Sequence, residues 1–299
     1  MVVATGFFDG VHLGHRQVIK QLVEAAAVRG VESTVLTFWP HPRNVLQKEA
    51  RDLRLLTTLQ HKKDLLMSLG VNHVEVIPFT KDCSTMTVEE YLRDIVIEKY
   101  GGTAILLGYD NKIGCDAKDA DHVARIAESL GLEVIRTDAI SLDPGTAVSS
   151  TKIRNRLLEG DVSVAAEMLG YNYSLYGVVV AGNRLGRTIG FPTANMQLYE
   201  PLKMVPANGV YFVQVQTIGR SLYGMCNIGF RPTVSEGNAR TIETNIFGFD
   251  EDIYGLDMTI SFVEKIRDEI RFDSLDELRE QLDKDRDTCL TLLEMSSRV

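Results

Sequence analysis

The stretch that most constrains the fold is the first one, Met1-Val-Val-Ala-Thr-Gly-Phe-Phe-Asp-Gly-Val-His-Leu-Gly-His15. Val2, Val3 and Ala4 form a short apolar run of the kind that becomes a buried strand. The run breaks at Gly6, and a helical pattern follows with Val18, Leu22 and Ala26 on one face. Strand, tight turn and helix in that order open an α/β unit, and in such sheets ligands sit at this junction. His12 and His15 are spaced to fall on one face of the first helical turn. The N–H groups of that turn and the positive end of the helix dipole point to the same place, which suits an anion, phosphate above all. Gly6, Phe7, Phe8, Asp9 and Gly10 make the turn and are candidate contacts to a nucleotide phosphate. The plainer alternative is a glycine-rich turn before a core helix, with two incidental histidines.

Later apolar runs continue the alternation. Ser33 to Phe38, His73 to Phe79, Ala104 to Leu107 and Glu133 to Arg136 read as strands. Helical patterns separate them, at Thr58 to Leu69, from Thr87 to Tyr100 with a capping box at Thr87-Val-Glu-Glu90, and from about Asp121. This is the pattern of a doubly wound parallel sheet. Trp39-Pro-His-Pro42 ends the second strand, since proline stops strand and helix alike, and His41 there reads equally well as a ligand contact or as part of a rigid loop. Gly108-Tyr-Asp110 follows the fourth strand, and Asp110 is a candidate for a ribose, an adenine edge or a metal-phosphate complex. Val148-Ser-Ser-Thr-Lys-Ile-Arg154 then reads as a helix N-cap with cations beside it. Alone it is a capped surface helix; with the opening turn, Ser150, Thr151 and Arg154 form a second phosphate clamp.

From about residue 170 the period changes from helical to strand-like. Tyr173 to Val180, Val210 to Val215, Leu222 to Ile228, Arg240 to Phe249 and Met258 to Val263 read as short antiparallel strands, the pattern of a small barrel. A terminal helix follows from Ser274, with Leu275, Leu278, Leu282 and Leu290 as its apolar face. The expected domains are therefore 1–170 and 171–299. Two passages in the second half carry chemistry. Gly182-Asn-Arg-Leu-Gly-Arg187 offers glycines for close approach and charge for phosphate, and Thr193 and Asn195 are spaced to act as hard oxygen ligands for Mg²⁺; a long hairpin loop is the other reading. Glu243, in an otherwise apolar strand, is either a general base or an exposed position on an edge strand.

The remaining constraints are exclusions. A chain of 299 residues allows two domains. A net charge of −9 argues against a general nucleic-acid surface while leaving room for a local phosphate site. The four cysteines are scattered without metal-type spacing, which fits a reduced, cytoplasmic protein. No apolar run is long enough for a bilayer and no signal peptide is legible. The sequence leaves the oligomeric state open.

Phe8-Asp-Gly-Val-His-Leu-Gly-His15 and Ser149-Ser-Thr-Lys-Ile-Arg154 resemble the two motifs of the His-x-Gly-His nucleotidyltransferases, in particular bacterial FAD synthetase. Gly186-Arg-Thr-Ile-Gly-Phe-Pro-Thr-Ala-Asn195, Gly209-Val-Tyr211, Asn227-Ile-Gly-Phe-Arg-Pro-Thr233, Glu243 and Tyr254-Gly255 resemble riboflavin kinase in order and approximate spacing. Together they resemble the bacterial bifunctional riboflavin kinase/FMN adenylyltransferases over essentially the whole chain. That resemblance implies two ATP-dependent steps. Glu243 would be the base that takes the proton of the riboflavin 5′-hydroxyl, Thr193 and Asn195 would contact Mg²⁺, and FMN would be the product. FMN would then attack a second ATP, with His12, His15, Ser150, Thr151 and Arg154 stabilising the phosphates, to give FAD and pyrophosphate. The sequence departs from the usual pattern at Phe7, Asn111, Ile113, Asn172 and Asn245. Competing readings are a kinase that has lost adenylylation, a flavin-responsive binding module, and a nucleotidyltransferase for another phosphate ester.

Overall fold

A computed structural model describes residues 1–46, 53–108, 113–137, 148–182, 185–230 and 240–296. Asp110, Asn111, Arg184 and the segment Arg231 to Thr233 lie outside the described residues. The chain divides into two units, Met1–Ser150 and Thr151–Val299.

The first unit is built on a five-stranded parallel sheet in the order β3-β2-β1-β4-β5. Its strands are β1 (Val2–Thr5), β2 (Ser33–Trp39), β3 (His73–Pro78), β4 (Ala104–Leu107) and β5 (Glu133–Arg136). The helices are α1 (Leu13–Arg29), α2 (Pro42–Leu46), α3 (Leu59–Ser68), α4 (Lys81–Thr85), α5 (Val88–Glu90), which runs on as a π-helical stretch Tyr91–Lys99, and α6 (Ala120–Ser129). Strand side chains alternate between faces, so β1 feeds two cores at once. Val2 and Ala4 pack with Ile19, Leu22, Ala26 and Leu66, whereas Val3 packs with Tyr91, Leu92, Val96 and Val123. Helices on both faces of a parallel sheet make it doubly wound, as the alternation of runs implies. The strand order reverses at β1, and at such a switch point a crevice opens at the carboxyl ends of the strands. Proline does not stop all structure after β2, because α2 begins at Pro42, where a missing N–H costs nothing.

The second unit is a closed six-stranded antiparallel barrel in the order β10-β7-β6-β11-β8-β9. Its strands are β6 (Ser174–Val180), β7 (Ala194–Leu198), β8 (Gly209–Thr217), β9 (Arg220–Phe230), β10 (Arg240–Ile246) and β11 (Asp257–Arg267). Its helices are α7 (Ser150–Glu159, joining this unit from Thr151), α8 (Val162–Leu169), α9 (Leu185–Thr188) and α10 (Leu275–Ser296). The unit begins earlier than the change of period at 170 suggests. The apolar face of α8, Val162, Ala165 and Leu169, needs cover and finds it against β11, and the Leu157 carbonyl accepts from Ala207 N–H at 2.8 Å. β7 and α9 emerge from the stretch that also reads as a long hairpin loop.

α10 meets the barrel with half of the leucine row expected of it, since Leu278 and Leu282 are half-buried and line the barrel cavity. Leu275 and Leu290 are exposed, while Cys289, Leu282, Leu292 and Leu293 pack with Phe191, Val210, Phe212 and Met225. The rotation is fixed by a buried carboxylate. Asp285 accepts from Arg267 Nε at 2.9 Å and Nη2 at 2.7 Å, and from Gln281 Nε2 at 2.8 Å. A buried, doubly bonded ion pair outweighs the placement of two leucines, Leu275 and Leu290.

Candidate functional sites

The first site is the turn between β1 and α1. Its backbone is strained: Phe8 has φ 54°, Val11 φ 38° and Gly10 φ 80°. A β-branched residue in the left-handed region is rare, and such strain persists only where the surroundings over-determine it. Asp9 provides that determination. Its buried carboxylate accepts from the N–H groups of Leu56 (3.0 Å) and Thr57 (3.1 Å), and Gly10 N–H donates to Thr57 Oγ1 at 3.2 Å. Asp9 therefore fastens the turn from within rather than facing a phosphate, which a carboxylate would repel.

His12 caps α1: its Nδ1 accepts from His15 N–H at 3.3 Å. The two rings stack with centroids 3.6 Å apart and an interplanar angle of 16°, as their spacing implies. Gly14 between them is small for a reason, since a Cβ there would lie 3.3 Å from the His12 ring. The Phe8 ring meets His15 edge-on at 5.3 Å. His15 Nδ1 is buried with no hydrogen-bond partner among the described residues. Burial, then the neighbouring His12 and Lys62 charges, hold the His15 imidazole well below its ordinary value, so it is neutral at pH 7. A neutral ring with an unpartnered nitrogen, at the N-terminus of a helix, is suited to hydrogen-bonding a phosphate oxygen.

Ser150 reaches this turn, its Oγ donating to the Asp9 carbonyl at 3.0 Å. His41 lies against it through Phe7, with ring centroids 4.0 Å apart. Gly6 also lines a cavity of about 300 Å³ at the carboxyl ends of β1 and β2, walled by Thr5, Phe38, Phe79, Tyr91 and Ile113. Thr151 and Arg154 are on α7, the first exposed and the second half-buried.

One residue of this site escapes a reading by motif. Lys62 on α3 is 1% exposed, with Nζ 2.9 Å from the Phe7 carbonyl and 2.9 Å from Thr37 Oγ1. Its signal was in the sequence: Leu59, Lys62, Leu66 and Leu69 share one helical face, and a lysine there is out of place.

The second site is in the barrel. Register places Glu243 of β10 opposite Asn195 of β7 on one side and Asn227 of β9 on the other, so all three side chains share a face. Glu243 is thus in a central, paired strand, not on an edge. The Asn195 amide lies against Gly182, where a Cβ would fall 2.3 Å from Asn195 Nδ2. Gly182 makes room for that side chain. Asn245 donates to the Pro192 carbonyl at 2.7 Å and so ties β10 to the segment before Thr193.

Two cavities share Thr193 as a wall. One, of about 250 Å³, is lined by Glu243, Asn227, Asn245, Phe191, Met225 and Leu282. The other, of about 400 Å³, holds Arg187, Thr193, Thr244, Asp250 and Tyr254. The first chamber also carries Glu269 and Arg267 among its apolar residues, the second also carries Glu251 and Asp252, and the two adjoin at Thr193, where two occupants would meet. No group of three or more His, Cys, Asp or Glu among the described residues could hold a metal by itself. Thr193 and Asn195 offer only oxygen donors of the hard kind. Such a pair fits Mg²⁺ carried largely by substrate phosphates and water.

These features define a class: a nucleotidyl-transferring α/β unit with paired histidines at its switch point, followed by a small-barrel phosphotransferase. Family models agree. Residues 1–152 match the model described as FAD synthetase, and residues 169–293 the one described as riboflavin kinase. Among curated proteins, a bifunctional riboflavin kinase/FMN adenylyltransferase of Listeria monocytogenes is 36% identical over 294 residues, covering 95% of this chain and 90% of that one. The Bacillus subtilis protein of the same description is 34% identical over 288 residues, with 95% and 90% covered. A solved Streptococcus pneumoniae structure, described as a macrolide-efflux protein, matches with TM-score 0.89 and 32% identity, covering 96% of this chain and 93% of that one. The chain belongs to the bifunctional riboflavin kinase/FMN adenylyltransferase family.

Proposed function

We propose that the chain makes FAD from riboflavin in two ATP-dependent steps, one in each unit. In the barrel, riboflavin occupies the apolar chamber with its 5′-hydroxyl at Glu243, and ATP occupies the chamber of Arg187. Glu243 takes the hydroxyl proton as the oxygen attacks the γ-phosphate. Thr193 and Asn195 would hold Mg²⁺, which neutralises charge on the phosphoryl oxygens; the rest of the catalysis is positioning. In the first unit the FMN phosphate attacks the α-phosphate of a second ATP, and pyrophosphate leaves. His12 and His15 bind the nucleotide phosphates at the head of α1, with Ser150, Thr151 and Arg154 as the second motif. The cavity between Phe38, Phe79 and Tyr91 takes the flavin ring. Ile113 adds an aliphatic wall beside those three aromatic rings.

The observation that carries this reading is the presence, in one chain, of the stacked His12–His15 pair and of Glu243 in a chamber adjoining Thr193. The scattered free cysteines support a cytoplasmic setting. The efflux description of the S. pneumoniae structure has no counterpart in either site. Chromatography of flavins after incubation with ATP, Mg²⁺ and either riboflavin or FMN tests the reading. FMN and FAD from riboflavin, and FAD from FMN, are expected. FMN alone from riboflavin would leave a kinase, and no conversion in either tube would leave a flavin-binding module.

A further inference from the structure

We infer that Lys62 is a positioning residue for adenylyl transfer: its ammonium, buried beneath the histidine turn, holds Phe7 in place and supplies the fixed positive charge beside which His12 and His15 meet the nucleotide phosphates. The inference rests on the adenylyltransferase reading of the first unit.

Three hydrogen bonds close a triangle behind the turn. Lys62 Nζ donates to the Phe7 carbonyl and to Thr37 Oγ1, both at 2.9 Å, and Thr37 Oγ1 donates to the same carbonyl at 3.1 Å. The ammonium also lies 3.9 Å from the centroid of the Phe7 ring. Lys62 thus fixes both the backbone and the ring of the residue that precedes the strained Phe8 and contacts His41.

A methionine could fill this space without burying a charge, and an ammonium in such a place costs stability unless paired. Among the described residues no carboxylate bonds to it directly. The acidic group acting on it from the turn is Asp9, whose oxygens are taken up by Leu56 and Thr57 N–H; from α1 it faces His15, and from β2 the neutral Thr37. Burial accordingly brings the Lys62 ammonium down to about 8, still mostly charged at neutral pH. A cation kept at that cost beside an anion site acts on what the site binds. It also disfavours protonation of His15, so that the ring meets the phosphates as a neutral hydrogen-bonding group.

Lys62→Gln retains hydrogen-bond donors and removes the charge, and Lys62→Arg keeps the charge. In Lys62→Gln, kcat for FAD formation from FMN should fall on the order of tenfold or more. Riboflavin phosphorylation in the same preparation should be unchanged, and the His15 titration followed by NMR should move up. Lys62→Arg should retain more of kcat than Lys62→Gln. An unchanged kcat or an unmoved His15 titration in Lys62→Gln would overturn the inference, as would equal losses in both variants. The unsubstituted chain provides a test that needs no refolded variant: FAD formation should fall along an alkaline limb near 8 that riboflavin phosphorylation does not share, and its absence would count against the role. If the unsubstituted chain makes no FAD at all, the adenylyltransferase reading itself fails.

Discussion

In the first unit the candidate histidines belong to one turn of one helix, and the residues that shape them arrive from elsewhere. In the barrel the candidate residues lie on separate strands and face one another because the strands pair. His12 and His15 need only helical spacing to meet, but their turn is strained and depends on Asp9, Thr57, Lys62 and Thr37 to hold it. Glu243 depends on register. It requires β10 to lie between β7 and β9 in a register that a slip of one residue would invert. The first site is therefore vulnerable to the loss of a single supporting group, and the second to anything that shifts a strand or the helix that covers it.

The sharpest test of that contrast is Glu243→Ala. It should reduce FMN formation on the order of a thousandfold, within the range of a lost general base, while FAD formation from supplied FMN continues. A normal rate of riboflavin phosphorylation would remove Glu243 from the chemistry. Next is Asp285→Ala, which leaves the Arg267 guanidinium without its carboxylate in the wall of the Glu243 chamber. Breaking such a pair should destabilise the second unit by about 3–5 kcal/mol, visible in chemical denaturation, and raise the KM for riboflavin. An unchanged midpoint would show that α10 is held by its apolar face alone. His15→Ala should slow FAD formation from FMN on the order of a hundredfold and leave the kinase step alone. Loss of both activities together would mean that the two sites are not independent.

A further effect concerns pH. Lys62 binds its proton less tightly in the folded chain, at about 8, than its ordinary value of 10.5. Between those values the unfolded chain carries more protons, so stability should rise with pH through that window and be lost as pH falls toward 8. Thermal melts across the window should show this rise in the unsubstituted chain and lack it in Lys62→Gln.

Much of this was legible in the sequence where the signal was local. The alternation of apolar runs and helical patterns gives the doubly wound sheet, the capping box at Thr87 to Glu90 forms with both of its hydrogen bonds, and the histidine spacing gives the stacked rings. Where the signal was non-local it was weaker. The α10 face was read only in part: Leu278 and Leu282 turn inward as expected, but a leucine row says nothing of Asp285, whose partner Arg267 lies on β11. Asp9 read as a candidate phosphate contact along with its motif neighbours, and only the fold brings the Leu56 and Thr57 N–H groups to it.

Period, capping and motif order are properties of neighbouring residues, so the sequence by itself determined the two architectures, the turn that carries the histidines and the family. Tertiary structure alone decided which groups complete each site. Lys62 reaches Phe7 across 55 residues, and Glu243 meets Asn195 and Asn227 through strand pairing. Those contacts exist only once chain entropy has been overcome by packing, and no local pattern encodes them.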